Sequence, residues 1–242
     1  IGQGTNGTGL ATHIGYSVPK GSLEFWKNRF QQLNITFEEG EIFGEKLISF
    51  QDPDGLQIQF IETSMPDDRK VWTTTDIKDE NALKGFHNIT LTLKKADPTI
   101  KVLTDIFGYD LQKHEGERYR FATDAIETAN LVDIIENDKM VAGRNASGTN
   151  HHVAFRVKDD KVLMAFREKV LSAGFSITPK IDRDYFYSLY FREPGGVLFE
   201  IATDNPGFTV DEPLSELGQK LKLPKQHEAL REKIEKVLPN LS

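Results

Sequence analysis

The stretch Ile48-Ser-Phe-Gln-Asp-Pro-Asp-Gly-Leu-Gln-Ile-Gln-Phe60 reappears without a gap as Leu189-Tyr-Phe-Arg-Glu-Pro-Gly-Gly-Val-Leu-Phe-Glu-Ile201. In both, two β-rich runs flank a Pro and a Gly, the residues that make a tight turn between antiparallel strands. A shared turn and register over this length signals an internal repeat, and the repeat decides the fold.

Working outward, residues 11–63 and 150–204 share one layout. Each opens with an alternating strand, His13-Ile-Gly-Tyr-Ser-Val18 and His152-Val-Ala-Phe-Arg-Val157, in which every second side chain faces one side. An amphipathic helix follows: Leu23, Trp26, Phe30 and Leu33 recur at helical spacing with Phe25 beside them, and Val162, Leu163, Phe166, Val170 and Leu171 do the same in the last copy. A more diverged copy lies between, from Asn88-Ile-Thr-Leu-Thr-Leu93 through a helix over roughly 97–107 to Asn130-Leu-Val-Asp-Ile-Ile135. Polar connectors separate the copies, one from Thr63 to Lys84 with Pro66, the other from Asn137 to Asn150 with Gly143 and Gly148. The expected organisation is therefore a module over 1–70, a diverged module over 85–137, a module over 148–204 and a tail over 205–242 with one short helix from about Lys225 to Val237. The class is α+β, with strand, helix and then several antiparallel strands in each module: curved mixed sheets with helices on the outer face.

Composition limits the chemistry. Apolar residues make up 38% of the chain and charged residues 28%, and no apolar run is long enough to cross a bilayer, so a soluble protein is expected. The net charge of -7 with no clustered basic face argues against nucleic acid as a partner, and nothing points to a membrane. With no cysteine, thiolate metal sites and cysteine nucleophiles are excluded, and any metal must be held by His, Asp or Glu.

One such pair stands out. His152 opens the first strand of the last module and Glu200 lies in its closing strand, between Phe199 and Ile201, where an unpaired carboxylate would be costly to bury. If the sheet curls, both point into its concave face. An imidazole and a carboxylate suit a borderline or hard divalent ion, Fe(II) or Mn(II), as two members of a two-histidine, one-carboxylate set. The position equivalent to Glu200 is Gln59 in the first module, and the His152 position is Asn88, beside His87, in the middle one. The first two modules are thus expected to be metal-free. His151 precedes the candidate ligand, and strand alternation would turn it away from the metal side.

These features resemble the vicinal oxygen chelate superfamily, which includes glyoxalases, bleomycin-resistance proteins and type I extradiol dioxygenases, all built from paired βαβββ modules. The chain is most similar to the dioxygenases that open para-hydroquinones. The stretches that carry the likeness are Ala11-Thr-His-Ile-Gly-Tyr-Ser-Val-Pro19, Gly21-Ser-Leu-Glu-Phe-Trp26, Trp72-Thr-Thr-Thr75, Gly85-Phe-His87, Gly148-Thr-Asn-His-His152 and Asp182-Arg-Asp-Tyr-Phe-Tyr-Ser-Leu-Tyr-Phe-Arg-Glu-Pro-Gly-Gly-Val-Leu-Phe-Glu200.

The resemblance implies an Fe(II) enzyme, with Mn(II) as the alternative metal, that cleaves a hydroquinone- or catechol-like ring with O2. It implies His152 and Glu200 as two metal ligands. The third, a His opening a first module, is expected to precede Ile1. Arg183 and Tyr190 match residues that surround the metal, where Tyr190 would hydrogen-bond a phenolic oxygen and Arg183 would stabilise the phenolate or position Tyr190. Tyr185, Phe186 and Tyr187 are candidate pocket walls or core residues. Two other readings use the same scaffold: a metal-dependent isomerase or thiol transferase, and a metal-free protein that binds an aromatic compound. A cytoplasmic location and self-association as a homodimer complete the expectations.

Overall fold

The computed structural model describes residues 2–63 and 67–239; Ile1, Pro66 of the first connector and the last three residues of the expected tail lie outside them. The first module comprises β1 (Leu10–Val18), α1 (Leu23–Gln32), β2 (Phe37–Ile42), β3 (Glu45–Gln51) and β4 (Gln57–Glu62). The second comprises β5 (Gly85–Leu93), α2 (Asp97–Lys101) continued by a π-helical turn (Val102–Ile106), β6 (Asp110–Glu115), β7 (Arg118–Ala122) and β8 (Leu131–Glu136). The third comprises β9 (Val153–Val157), α3 (Asp160–Ser172), β10 (Ile181–Asp182), β11 (Phe186–Arg192) and β12 (Leu198–Pro206).

Several boundaries differ from the sequence reading: the first strands of the three modules begin at Leu10, Gly85 and Val153 rather than at His13, Asn88 and His152. β12 runs to Pro206, past the expected module end. The single tail helix is a 3-10 segment, Lys225–Leu230, followed by α4 (Arg231–Glu235). Leu33 does not join the apolar stripe of α1, because the helix ends at Gln32 and Leu33, its C-cap, is 57% exposed.

Both turns of the founding alignment form as read. Gly55 N donates to Asp52 O and Gly196 N to Glu193 O, each at 3.0 Å, with Pro in the second position and a left-handed glycine in the fourth (φ +95 and +100). The leading carboxylate caps each turn: Asp52 Oδ1 accepts from Asp54 N and Leu56 N, while Glu193 accepts from Gly195 N and Val197 N.

The first two modules fuse. β1 pairs parallel with β4, β5 pairs parallel with β8, and an antiparallel β1–β5 ladder joins the halves into one eight-stranded sheet, β2-β3-β4-β1-β5-β8-β7-β6. The third module makes its own sheet, β10-β11-β12-β9, again with its first strand parallel to its last. Within this sheet β9 is an edge strand.

Period-two alternation sorts the faces of that sheet. Val153, Phe155, Leu189, Phe191, Phe199 and Ile201 pack with Leu163 and Val170 of α3 in the core, so Ala154, Ser188, Tyr190 and Glu200 stand on the other face. α3 is fixed at its start by Asp159, whose carboxylate accepts from Val162 N at 3.0 Å. The two sheets share one core. Phe107, just after the π-helical turn, stacks on Phe155 with ring centroids 4.2 Å apart and also contacts Phe166, Phe191 and Phe199. A separate aromatic cluster of Trp26, Phe30 and Phe60 lies under α1.

Candidate metal centre

β9 and β12 run parallel with Ala154 opposite Glu200, and the chain just before β9 brings His152 to the same end of the sheet. His152 Nε2 lies 2.7 Å from Glu200 Oε2. The strand ladder begins one residue after His152, so the imidazole leaves a loop end rather than a pleated strand. Across the β11–β12 ladder Tyr190 is the register partner of Glu200, and its hydroxyl donates to Glu200 Oε1 at 2.7 Å. Each oxygen of a carboxylate that is only 3% exposed thus has its own partner, which answers the cost of burying it.

Arg183 extends the chain of contacts. Its Nη2 lies 3.4 Å from the Tyr190 oxygen, its Nε donates to Ser188 Oγ at 3.4 Å, and its Cζ is 5.5 Å from the Tyr190 ring centroid. A tight turn aims it: Arg183 N donates to Phe186 O, and Asp184, in the left-handed region at φ +65, is held by its N–H to Asp182 Oδ1 at 2.8 Å. Thr178 clamps the strand at Tyr190 from the other side, donating N–H to Tyr190 O and accepting Tyr190 N–H on Oγ1. Burial and the bond to Glu200 push the Tyr190 phenol above its ordinary pKa, against the opposing contacts of Ser188 and Arg183, so it remains a donor.

All four residues singled out from the sequence, Arg183, Tyr190, His152 and Glu200, therefore lie in one linked cluster on one face. His151 stands outside the ladder, and its Nδ1 is 2.9 Å from His152 Nδ1, the ring nitrogen that does not face Glu200. Ser188 was missed, although its position two residues before Tyr190 on the same strand places it on the same face. Of the aromatic candidates, Tyr187 packs on the core and Tyr185 stacks on Phe208 with centroids 5.0 Å apart, away from the cluster.

An imidazole nitrogen and a carboxylate oxygen meet in one space at the end of the sheet, and that pairing of donor types fits a borderline or hard divalent ion. No group of three or more His, Asp or Glu that could hold a metal ion converges among the described residues. A cavity of about 540 Å³, lined in part by Phe107, Tyr109, Phe155 and Phe166, is bordered by neither ligand candidate. His152, Glu200 and Tyr190 meet instead on the sheet face away from the core.

Residues 85–201 match the family described as the glyoxalase/bleomycin resistance protein/dioxygenase superfamily. The chain is 38% identical over 238 residues, 98% of its length and 75% of the relative, to MhqO of Bacillus subtilis (strain 168), assigned by name alone as a ring-cleaving dioxygenase. It is 31% identical over 236 residues, 96% of its length and 73% of the relative, to the chlorohydroquinone/hydroquinone 1,2-dioxygenase of Sphingobium indicum. A crystal structure of a Bacillus subtilis protein, also a dioxygenase by name, superposes with a TM-score of 0.93 at 36% identity, covering 99% of this chain and 76% of that one.

Proposed function

The chain belongs to the glyoxalase/bleomycin resistance protein/dioxygenase superfamily and within it to the ring-cleaving dioxygenases, and on that premise we propose that it opens a hydroquinone-like aromatic diol with O2, using Fe(II) held in part by His152 and Glu200. The observation that carries this reading is the linked series Arg183, Tyr190, Glu200 and His152 on one sheet face. When bound, the metal ion would supply the means of passing electrons between an aromatic diol and dioxygen, a reaction that is otherwise spin-restricted.

This chain's residues do the positioning. Tyr190 holds Glu200 Oε1, which fixes the carboxylate and turns Oε2 towards His152 Nε2, where a cation would be shared between the two. Arg183 brings a permanent positive charge to the same face, where it stabilises an ionised phenolic oxygen of the substrate and orients the Tyr190 hydroxyl. The third ligand comes from outside the described residues. β9 has one unpaired edge, and the equivalent edges of β1 and β5 are the ones that join the first two modules, so a further module carrying an imidazole has a strand on which to dock. A cytoplasmic location and Fe(II) rather than Mn(II) go with this reading.

Incubation with 18O2 and either hydroquinone or catechol tests it. The reading expects a ring-opened product carrying both labelled atoms, formed faster from hydroquinone. Turnover of a small electrophile or thiol adduct with no oxygen consumed would replace it with the isomerase or transferase alternative.

A further inference from the structure

The strand registers give the three modules a common frame. Glu200 sits opposite Ala154 on the parallel strand and opposite Tyr190 on the antiparallel one. Asp133 sits opposite Thr90 and Arg120 in the same two ways, and Gln59 opposite Gly15 and Ser49. Asp133 is therefore the middle module's Glu200, Asn88 its His152 and Arg120 its Tyr190. Tyr190 gives its carboxylate a neutral donor; Arg120 gives Asp133 a full positive charge.

We infer that the eight-stranded lobe keeps the layout of a metal centre in which the guanidinium of Arg120 stands in for the cation. Arg120 binds Asp133 through both Nε and Nη2, each at 2.8 Å, and its Nη1 is bonded to Glu45, brought in by β3. His87 Nε2 lies 3.1 Å from Glu45 Oε2, and Asn88 Nδ2 donates to Asp133 Oδ2 at 2.6 Å. Asp133 and Arg120 are 3% and 6% exposed, so this is an interior ion cluster. Burial works against the charge on Arg120, but Asp133 and Glu45 outweigh it and raise its pKa above the ordinary value.

The surrounding side chains hold these groups in place. Asn88 Oδ1 is buried without a hydrogen-bond partner among the described residues and lies against Gly15, where a Cβ would come within 1.9 Å of it. Two carboxylates, Asp133 and Glu45, thus meet the guanidinium, and each has a second partner of its own, Asn88 for Asp133 and His87 for Glu45. A guanidinium that balances two carboxylates leaves nothing to attract a metal ion. This explains why a repeated layout yields one candidate metal site and one closed lobe.

The parallel with a metal centre rests on the reading of His152 and Glu200 above; the role of the guanidinium as the internal cation does not. Thermal unfolding of the full chain tests the latter. Arg120→Gln, similar in reach but uncharged, is expected to lower Tm by roughly 6–20 °C, and Arg120→Lys by less than half as much. Arg120→Ala is expected to gain Tm in millimolar guanidinium, while the native chain and Arg120→Ala/Asp133→Asn do not. Arg120→Gln as stable as Arg120→Lys would overturn the proposal, as would guanidinium lowering the Tm of Arg120→Ala in parallel with the native chain. The metal parallel has its own arm. On a Glu200→Gln background, Asn88→His/Arg120→Tyr is expected to bind one equivalent of Co(II), read by titration calorimetry and visible absorption, and to lose it with Asp133→Asn. A folded variant that takes up no Co(II) would overturn the metal parallel while leaving the function proposed for Glu200 standing.

Discussion

The Tyr190 hydroxyl meets Glu200 Oε1 at 2.7 Å, engaging the carboxylate oxygen that His152 does not face. A hydrogen bond to a charged group contributes about 1.5–3 kcal/mol, and losing one donor leaves a buried oxygen unsatisfied. Tyr190→Phe is therefore expected to lower the rate of oxygen uptake by roughly 10–100-fold. Its Tm should fall by about 3–12 °C, measured by circular dichroism, with the fold retained. A rate within a factor of two of native would show that Tyr190 only packs.

Arg183 is argued to act by charge and by its planar fork. Arg183→Lys keeps the charge but loses the simultaneous reach to Ser188 and Tyr190. Steady-state kinetics should show kcat/KM falling by about 10-fold for Arg183→Lys and about 100-fold for Arg183→Met, a graded loss that a purely solvated cation would not give.

Gly195 tests the packing of the last turn against the second module. A Cβ there would come within 2.5 Å of Thr99 Oγ1 and 2.7 Å of Leu93 Cδ2, while Thr99 donates to the buried Glu193 at 2.6 Å. Gly195→Ala is expected to destabilise by about 1–3 kcal/mol, read from urea unfolding with an unchanged m-value. Gly55→Ala at the equivalent turn has no backbone or core atom so near, and its effect comes from the left-handed φ alone.

The lowered pKa of His13, about 4, makes stability depend on pH with a definite sign. Between that value and the model-peptide value of 6.5 the unfolded chain binds a proton that the folded chain does not, so stability is full above 6.5 and falls as pH drops towards 4. The loss attributable to this group is about 2 kcal/mol after allowing for partial exposure. His13→Gln should flatten the dependence of Tm on pH in that window relative to native. Identical slopes would refute the assignment.

Much of this is legible in the sequence. The aligned stretches ending at Phe60 and Ile201 specify the turn and its flanking strands together, while the pairing of Tyr190 with Glu200 is fixed by the β11–β12 register. The fusion of the first two modules was not legible, because the β1–β5 ladder is formed by residues such as Ile14 and Ile89 that are far apart in sequence and read equally well as separate strands. The hairpin of β6 and β7 is expected as part of the middle module but is not located by the sequence. β6 is exposed throughout and carries no alternation, and the turn at Gly116 lacks the proline that marks the others. Arg120 escaped notice for a related reason: between Tyr119 and Phe121 it reads as an ordinary strand cation, and only the register with Asp133 gives it a role.

The most direct test is anaerobic reconstitution of the protein with Fe(II), followed by iron analysis and oxygen uptake on adding hydroquinone, beside Glu200→Gln and His152→Ala. The account predicts bound iron and oxygen uptake in the native protein, with both lost in each variant while the circular dichroism spectrum is unchanged. Native iron content and uptake in a folded Glu200→Gln variant would contradict it.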